Sequence, residues 1–152
     1  AENAAALFAD YDLIADGSDN FATRYLVNDA AYLTGKPLVS GSLLRFEGQL
    51  ATFRGGVPGH AGEPCYRCLF PTEPPPGMIP RCEEAGILGA VAGVIGTLQA
   101  TEVLKELLDL GSSLSGHLLI YDALGPTFRK MKAARDPGCA LCGTDPTIRE
   151  IA

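Results

Sequence analysis

Positive charge is scarce in this sequence: 12 lysines and arginines stand against 18 aspartates and glutamates, a net charge of −6 over 152 residues. Such a balance leaves no cationic stripe for a phosphate backbone, so a nucleic-acid partner is not expected. Also missing is any uninterrupted apolar run of about 18 residues, the least that crosses a bilayer as a helix. The most apolar window, 87–98, holds Gly89, Gly93 and Gly96 and is followed closely by Glu102 and Lys105. No membrane span is expected. The opening residues, Ala1-Glu2-Asn3, have neither the basic nor the apolar region of a secretory signal. No GxGxxG or GxxxxGK(S/T) loop occurs, so a glycine-rich phosphate cradle would have to come from elsewhere. There is no internal repeat, no low-complexity tail and no initiator methionine. The text opens in what reads as the end of a helix, and the expectation is a part of a longer protein.

What is present suits one globular domain with a real core, at 47% hydrophobic and 20% charged residues. The most informative feature is a pair of CxxC motifs, Cys65-Tyr-Arg-Cys68 and Cys139-Ala-Leu-Cys142, which use four of the five cysteines. Two thiolates at this spacing grip one side of a tetrahedral metal, and a second pair closes the shell. Seventy residues separate the pairs, so a shared zinc would staple distant segments together. Four thiolates leave no open position for substrate, which makes the site structural. The rival reading is a dithiol redox pair at a helix N-terminus after a strand. Pro64 before the first pair, and Gly138 and Gly143 around the second, argue against that setting. Without a secretory signal the motifs read as metal or redox sites rather than disulfides, and a reducing cytoplasm is expected.

Along the chain, a helical tendency over 3–9 precedes a short apolar strand at 12–15. A capping cluster, Asp16-Gly-Ser-Asp-Asn20, follows. Helical spacing over 21–34 places Phe21, Leu26, Ala30 and Leu33 on one face, and Gly35-Lys36-Pro37 stops the helix. The run 38–41 is the next strand, which makes a βαβ unit with parallel strands. Residues 48–53 read as a half-buried strand, 54–64 as a glycine-rich loop, and 70–81, with five prolines, as an extended mobile segment. The longest helix is expected over 83–110, with Gly111 as its C-cap. Its glycines at 86, 89, 93 and 96 form one stripe, where a buried helix would let another backbone approach. Residues 117–121 and 127–132 read as an antiparallel pair, the second an edge strand.

Asp19 and Asn20 stand at the carboxyl end of a parallel strand and the start of a helix, where ligands of open α/β sheets gather. A carboxylate there holds Mg2+ beside phosphates, or Ser18 or Asp19 simply caps the helix. The residues fit both readings. Cys82 lies between the proline-rich segment and a helix start, which lowers a thiol pKa, whereas Glu83 and Glu84 raise it. An inert thiol and a nucleophile are both open. Arg24 and Arg45 are candidate anion contacts.

Three segments together, Asp16-Gly-Ser-Asp-Asn-Phe-Ala-Thr-Arg24, Pro37-Leu-Val-Ser-Gly-Ser42 and Arg45-Phe-Glu-Gly-Gln49, carry a family resemblance. It continues through Pro64-Cys-Tyr-Arg-Cys68, Cys82-Glu-Glu-Ala-Gly-Ile-Leu-Gly89, Gly93-Val-Ile-Gly-Thr-Leu-Gln-Ala-Thr-Glu102 and Asp136-Pro-Gly-Cys139. The ordered series resembles the ubiquitin-activating-like adenylyltransferases, nearest to those of molybdopterin-synthase and thiamine biosynthesis. That resemblance implies binding of ATP and Mg2+ and adenylation of the C-terminal Gly-Gly carboxylate of a ubiquitin-like sulfur-carrier protein, the step before thiocarboxylate formation. It implies Asp19 beside ATP–Mg2+, with Asn20 and Arg24 in the same nucleotide motif, and Cys65, Cys68, Cys139 and Cys142 on structural zinc. Cys82 then matches the crossover-region cysteine, used covalently by eukaryotic relatives, and 70–81 is the crossover loop over the carrier's tail. Homodimers are usual in the family.

The family also places a glycine-rich nucleotide loop and basic phosphate contacts in an N-terminal half with no counterpart here. The expected fold is therefore α/β, the C-terminal half of a Rossmann-like adenylation fold, spanning 1–152 as one partial domain. Its parallel strands would be continued by antiparallel ones, with one buried glycine-bearing helix and one zinc. Alone, this chain is not expected to adenylate anything. Two rivals stay open: a non-catalytic zinc-stabilised module that binds a ubiquitin-like protein, and a dithiol oxidoreductase.

Overall fold

A five-stranded sheet with one parallel seam organises the chain. The structure, a computed structural model, describes residues 3–75, 77–79 and 82–151, and the side chains of Cys82 and Glu83 lie outside that description. The strands are β1 (Ile14–Asp16), β2 (Leu38–Leu44), β3 (Glu47–Phe53), β4 (His117–Asp122) and β5 (Thr127–Lys132), in that spatial order. β1 and β2 run parallel, with Ile14 opposite Leu38 and Asp16 opposite Ser40. Every later pairing is antiparallel. The expected α/β architecture, parallel strands continued by antiparallel ones, is present.

The crossover between β1 and β2 is α2 (Phe21–Leu33). Asn20 caps its start, accepting from the Thr23 amide at 2.8 Å. At its end Gly35 takes φ +69°, its amide bonds to Tyr32 O, and the Lys36 amide reaches back to Ala31 O. That is a Schellman stop, and it accounts for the Gly-Lys-Pro signal. The buried side chains of α2 are Tyr25, Asn28, Asp29, Ala30 and Ala31, whereas Leu33 is exposed. Three residues of the expected apolar face, Phe21, Leu26 and Ala30, do meet the first core, and Leu33 turns away from it. Two polar residues occupy the buried face because, as described below, they hold another segment.

β3 is more deeply buried than expected, with Gly48, Leu50, Ala51, Thr52 and Phe53 all inside. Its residues alternate between two cores. Ala51 and Phe53 join Phe8, Tyr25, Ala30 and Leu38 on one face, and Leu50 joins Val39 and Leu114 on the other. α1 (Ala4–Ala9) closes the first core. At the far edge, β5 is exposed on both faces, and Phe128 stacks on Tyr121 at 4.6 Å between ring centroids.

The single long helix expected over 83–110 is two. α4 (Cys82–Ala85) ends before Gly86, and α5 (Gly89–Leu108) starts afresh. Gly86 sits at φ +73°, and the β2–β3 turn at Arg45 takes its backbone groups: Arg45 N–H donates to Gly86 O, and Leu88 N–H to Arg45 O. The C-cap is Asp109, left-handed at φ 50° ψ 50°, two residues before the expected Gly111.

The helix glycines do not do what the stripe predicted. A Cβ added at Gly89, Gly93 or Gly96 would meet nothing within 4 Å. α5 turns Val91 and Ile95 to the sheet instead, and these are its buried residues. The close approach is real, but sheet glycines grant it. A Cβ at Gly48 would lie 2.2 Å from Ile95 Cγ1. Gly48→Ala is expected to cost about 1–3 kcal/mol by overpacking, and Gly93→Ala to add up to about 1 kcal/mol of helix stability. Urea unfolding of the two variants checks the contrast. Among the described residues no helix is long and apolar enough to cross a membrane.

Candidate functional site

The two CxxC motifs meet. α3 (Tyr66–Leu69) carries the first, with Cys65 at its N-cap, and a tight turn after Pro137 carries the second. All four Sγ atoms lie within 4.8 Å of one another. Measured edges are 3.9 Å for Cys65–Cys68, 3.6 Å for Cys65–Cys139 and 3.2 Å for Cys68–Cys142. A tetrahedron with metal–sulfur bonds of about 2.3 Å has edges of about 3.8 Å, so the donor set fits a zinc-sized ion. A disulfide needs about 2.05 Å, which none of these pairs approaches. The first motif does stand at the start of a helix, contrary to the sequence expectation, but Cys65 is buried and faces three more sulfurs rather than solvent.

The surroundings suit a charged cluster. The Asp136 amide donates to Cys68 Sγ at 3.3 Å, and Arg135 donates to Cys142 O. A Cβ at Gly143 would lie 2.4 Å from Cys139 O, so only glycine allows this turn. Hydrogen bonding to Cys142 and Cys68, followed by burial, pushes the Cys65 thiol up, while bonds from Cys142 and Cys65 hold Cys68 down. Four sulfurs this close cannot all carry negative charge without strong mutual repulsion. A dication between them removes that conflict.

α2 links this cluster to the carboxyl edge of the sheet. Asp29 takes a bidentate pair from Arg67 at 2.8 and 2.7 Å. Asn28 accepts from the Tyr66 amide at 2.9 Å and donates to Asp29. Tyr25 OH donates to Phe70 O at 2.9 Å, fixing the point where the chain leaves α3. Burial, then neighbouring Tyr66, pushes the Tyr25 phenol up to about 12, so it stays a neutral donor.

At the other end of α2 lies Asp19. It is exposed and, among the described residues, its carboxylate has no hydrogen bond or ion pair. Helix capping, the competing role, falls to Asn20 instead. Arg24 aims Nε and Nη2 at Ser18 O, at 3.1 and 2.7 Å, so it braces the loop that carries Asp19. Of the three residues the sequence grouped here, one points outward and two hold its loop. Arg45 is exposed and serves the β2–β3 turn through its backbone.

The sequence matches the description "ThiF family" over residues 1–141. The chain belongs to the ThiF family. It is 55% identical over 151 residues to the sulfur carrier protein adenylyltransferase of Thermus thermophilus, covering 99% of this chain and 56% of that protein. It is 51% identical over 142 residues to the adenylyltransferase and sulfurtransferase MOCS3 of Mus musculus, covering 93% of this chain and 30% of that one. The chain therefore spans about half the length of the first relative and about a third of the second. Among solved structures, Escherichia coli MccB superposes with a TM-score of 0.69 at 14% identity, covering 89% of this chain and 40% of that one. That likeness is one of fold.

In this ThiF-family chain, the Cys82 side chain and part of 70–81 lie outside the described residues; the backbone of Cys82 opens α4. Sequence reasoning missed a polar clamp at the opposite end of the sheet from Asp19. Arg54 pairs with Glu63 through Nε at 3.0 Å and Nη2 at 2.8 Å, His60 Nδ1 meets Glu63 at 2.8 Å, and Ser115 donates to the same carboxylate. It borders an open cleft of about 450 Å³ lined by Arg54, His60, Lys105, Glu106 and Asp109. No spacing rule brings 54, 63 and 115 together, so only the fold reveals them.

Burial pushes Glu63 up, but bonds from Arg54, Ser115 and His60 overcome it and hold the carboxyl at about 2, below its ordinary 4.5. A depressed acid contributes stability that is present above its unfolded value and lost as pH falls. The clamp is expected to weaken between about pH 4.5 and pH 2, by about 2 kcal/mol after allowing for partial exposure. Glu63→Gln should flatten that acid limb in melting curves taken from pH 6 to pH 2.

Proposed function

We propose that this chain is the C-terminal part of the adenylation domain of an enzyme that adenylates the C-terminal carboxylate of a ubiquitin-like sulfur-carrier protein, using ATP and Mg2+. The observation that carries the reading is Asp19: an exposed, unpartnered carboxylate at the carboxyl end of a parallel strand, in a chain 55% identical to a sulfur carrier protein adenylyltransferase. A carboxylate oxygen of the carrier attacks the α-phosphorus, the α–β phosphoanhydride bond breaks, and pyrophosphate leaves. The product is an acyl adenylate, with AMP poised to leave when a sulfur donor attacks. Bound Mg2+ would supply neutralisation of the phosphate charge. Asp19 would hold the ion, while Asn20 and Arg24 keep its loop in place.

Cys65, Cys68, Cys139 and Cys142 would hold one structural zinc, which supplies no chemistry and fixes α3 against the C-terminal turn. Through Arg67–Asp29 and Tyr25–Phe70, α2 and the root of the proline-rich segment are seated on the same anchor. Segment 70–81 would cross over the carrier's Gly-Gly tail, with Cys82 beside it as a candidate covalent residue. The carrier would serve molybdopterin or thiamine synthesis, the enzyme would work as a homodimer, and four unpaired thiols suit the reducing cytoplasm. The remaining phosphate contacts would come from sequence outside these 152 residues, so this chain assayed by itself would not adenylate.

The test supplies α-phosphate-labelled ATP, Mg2+ and the carrier to the protein as it occurs in the cell. Label on the carrier's C-terminus is the expected result. A zinc-loaded protein that binds the carrier without labelling it would be a non-catalytic module, and the proposal would fall.

A further inference from the structure

The loop bearing Asp19 is held from three directions, and one of them comes from a distant helix. Asp16, the last residue of β1, is buried, and its Oδ1 accepts from the Ser18 amide at 3.0 Å. Arg24 holds Ser18 O from α2. The third hold is Gln99 on α5: its Nε2 donates to Asp16 O at 2.8 Å and to Val39 O at 3.0 Å. Those two carbonyls belong to neighbouring strands at the one parallel seam of the sheet. A primary amide has two N–H groups on one nitrogen, one for each carbonyl. Gly41 makes room, since a Cβ there would lie 3.4 Å from Gln99 Cδ and Oε1.

We propose that Gln99 is a positioning residue for the Asp19 carboxylate, locking the end of β1 to β2 so that the turn from Asp16 to Asn20 keeps one shape. The inference rests on the reading of Asp19 as the carboxylate that meets Mg2+ and ATP. It needs no contact between Gln99 and substrate. Only Gly17 and Ser18 separate the pinned Asp16 carbonyl from Asp19, so a shift at the seam passes directly to the carboxylate. Methionine has similar length and no donor. Glutamate, when ionised, turns a negative oxygen on the same two carbonyls.

Two readouts separate this role from a general structural one. In the whole protein, Gln99→Met is expected to lower kcat of carrier adenylation about tenfold, from two lost hydrogen bonds, with KM for the carrier unchanged. In an Asp19→Ala background the same substitution is expected to change activity less than about twofold, because the group it positions is gone. Additive losses would overturn the proposal. Independently, hydrogen exchange at amides 17–20 is expected to quicken about tenfold in Gln99→Met, while the α5 amides hold their protection. Unchanged exchange in the loop would also overturn it. Should Gln99→Met fail to fold, Gln99→Glu decides: its activity should rise as pH falls, when the protonated carboxyl regains one donor, and a profile parallel to wild type counts against the role. Should the unaltered protein show no adenylation, the functional reading fails, and loop exchange still tests Gln99.

Discussion

Cys139→Ser is expected to empty the metal site and lower the melting temperature by about 10–20 °C. Cys139 is buried, and its sulfur lies 3.6 Å from Cys65, 74 residues earlier in the chain. The local core there is small: Cys65, Cys139, Leu141 and Cys142, with Tyr32 and Ile148 packed against it. Burial of so few apolar groups does not offset the entropy of holding the C-terminal turn in place. Structural zinc at four thiolates supplies about 10–16 kcal/mol of apparent binding energy in small domains. Even a fraction near 5 kcal/mol is a large part of a domain's total stability, and shifts the melting point by about 2–4 °C per kcal/mol. Metal analysis should find about one zinc per unaltered chain and none in the variant. Chelation should reproduce the shift. A serine variant that melts with the unaltered protein would remove zinc from the account.

Asp19→Ala is expected to reduce carrier adenylation by about 100- to 1,000-fold, the range seen when one preorganised charge-stabilising group is lost. Folding should be untouched. The side chain is exposed and, among the described residues, unpartnered, and its neighbour Asn20 does the capping. Zinc content and melting temperature therefore serve as controls that the Cys139 variant fails and this one passes. Raising Mg2+ should recover little, because the carboxylate fixes where the ion sits as well as whether it binds. Retained activity would move the Mg2+ ligand elsewhere and leave Asp19 a surface residue.

The parallel seam, the antiparallel pair of β4 and β5, and the cysteine cluster were legible in the sequence because each rests on a local signal. Asp16-Gly-Ser-Asp-Asn20 marks a strand end and a helix start, Gly35 marks a Schellman stop, and CxxC spacing marks a pair of ligands. Signals that depend on a partner read less well. The glycines of α5 suggested a packed stripe, yet Gly48 and Gly41 in the sheet are the ones that admit Ile95. Asn28 and Asp29 broke the apolar pattern of α2 because their partners, Tyr66 N and Arg67, lie 38 residues away. Arg24 looked like a phosphate ligand by charge and position, but Ser18 O lies within its reach and takes two of its donors. Gln99 stood inside one of the motifs of the resemblance but with no role attached: a glutamine in that helix acquires one only when two strand ends arrive beneath it.

On the proposed function, α2, seated on the cysteine cluster, would present Asp19 to ATP for transfer of AMP to a carrier carboxylate. ATP–pyrophosphate exchange by the protein as it occurs tests it most directly, run with the carrier and with the same carrier amidated at its terminal glycine. The account predicts exchange with the free carboxylate and none with the amide, and loss of the signal in Asp19→Ala at unchanged zinc content. Exchange that proceeds equally with both carriers, or that survives Asp19→Ala, would contradict it.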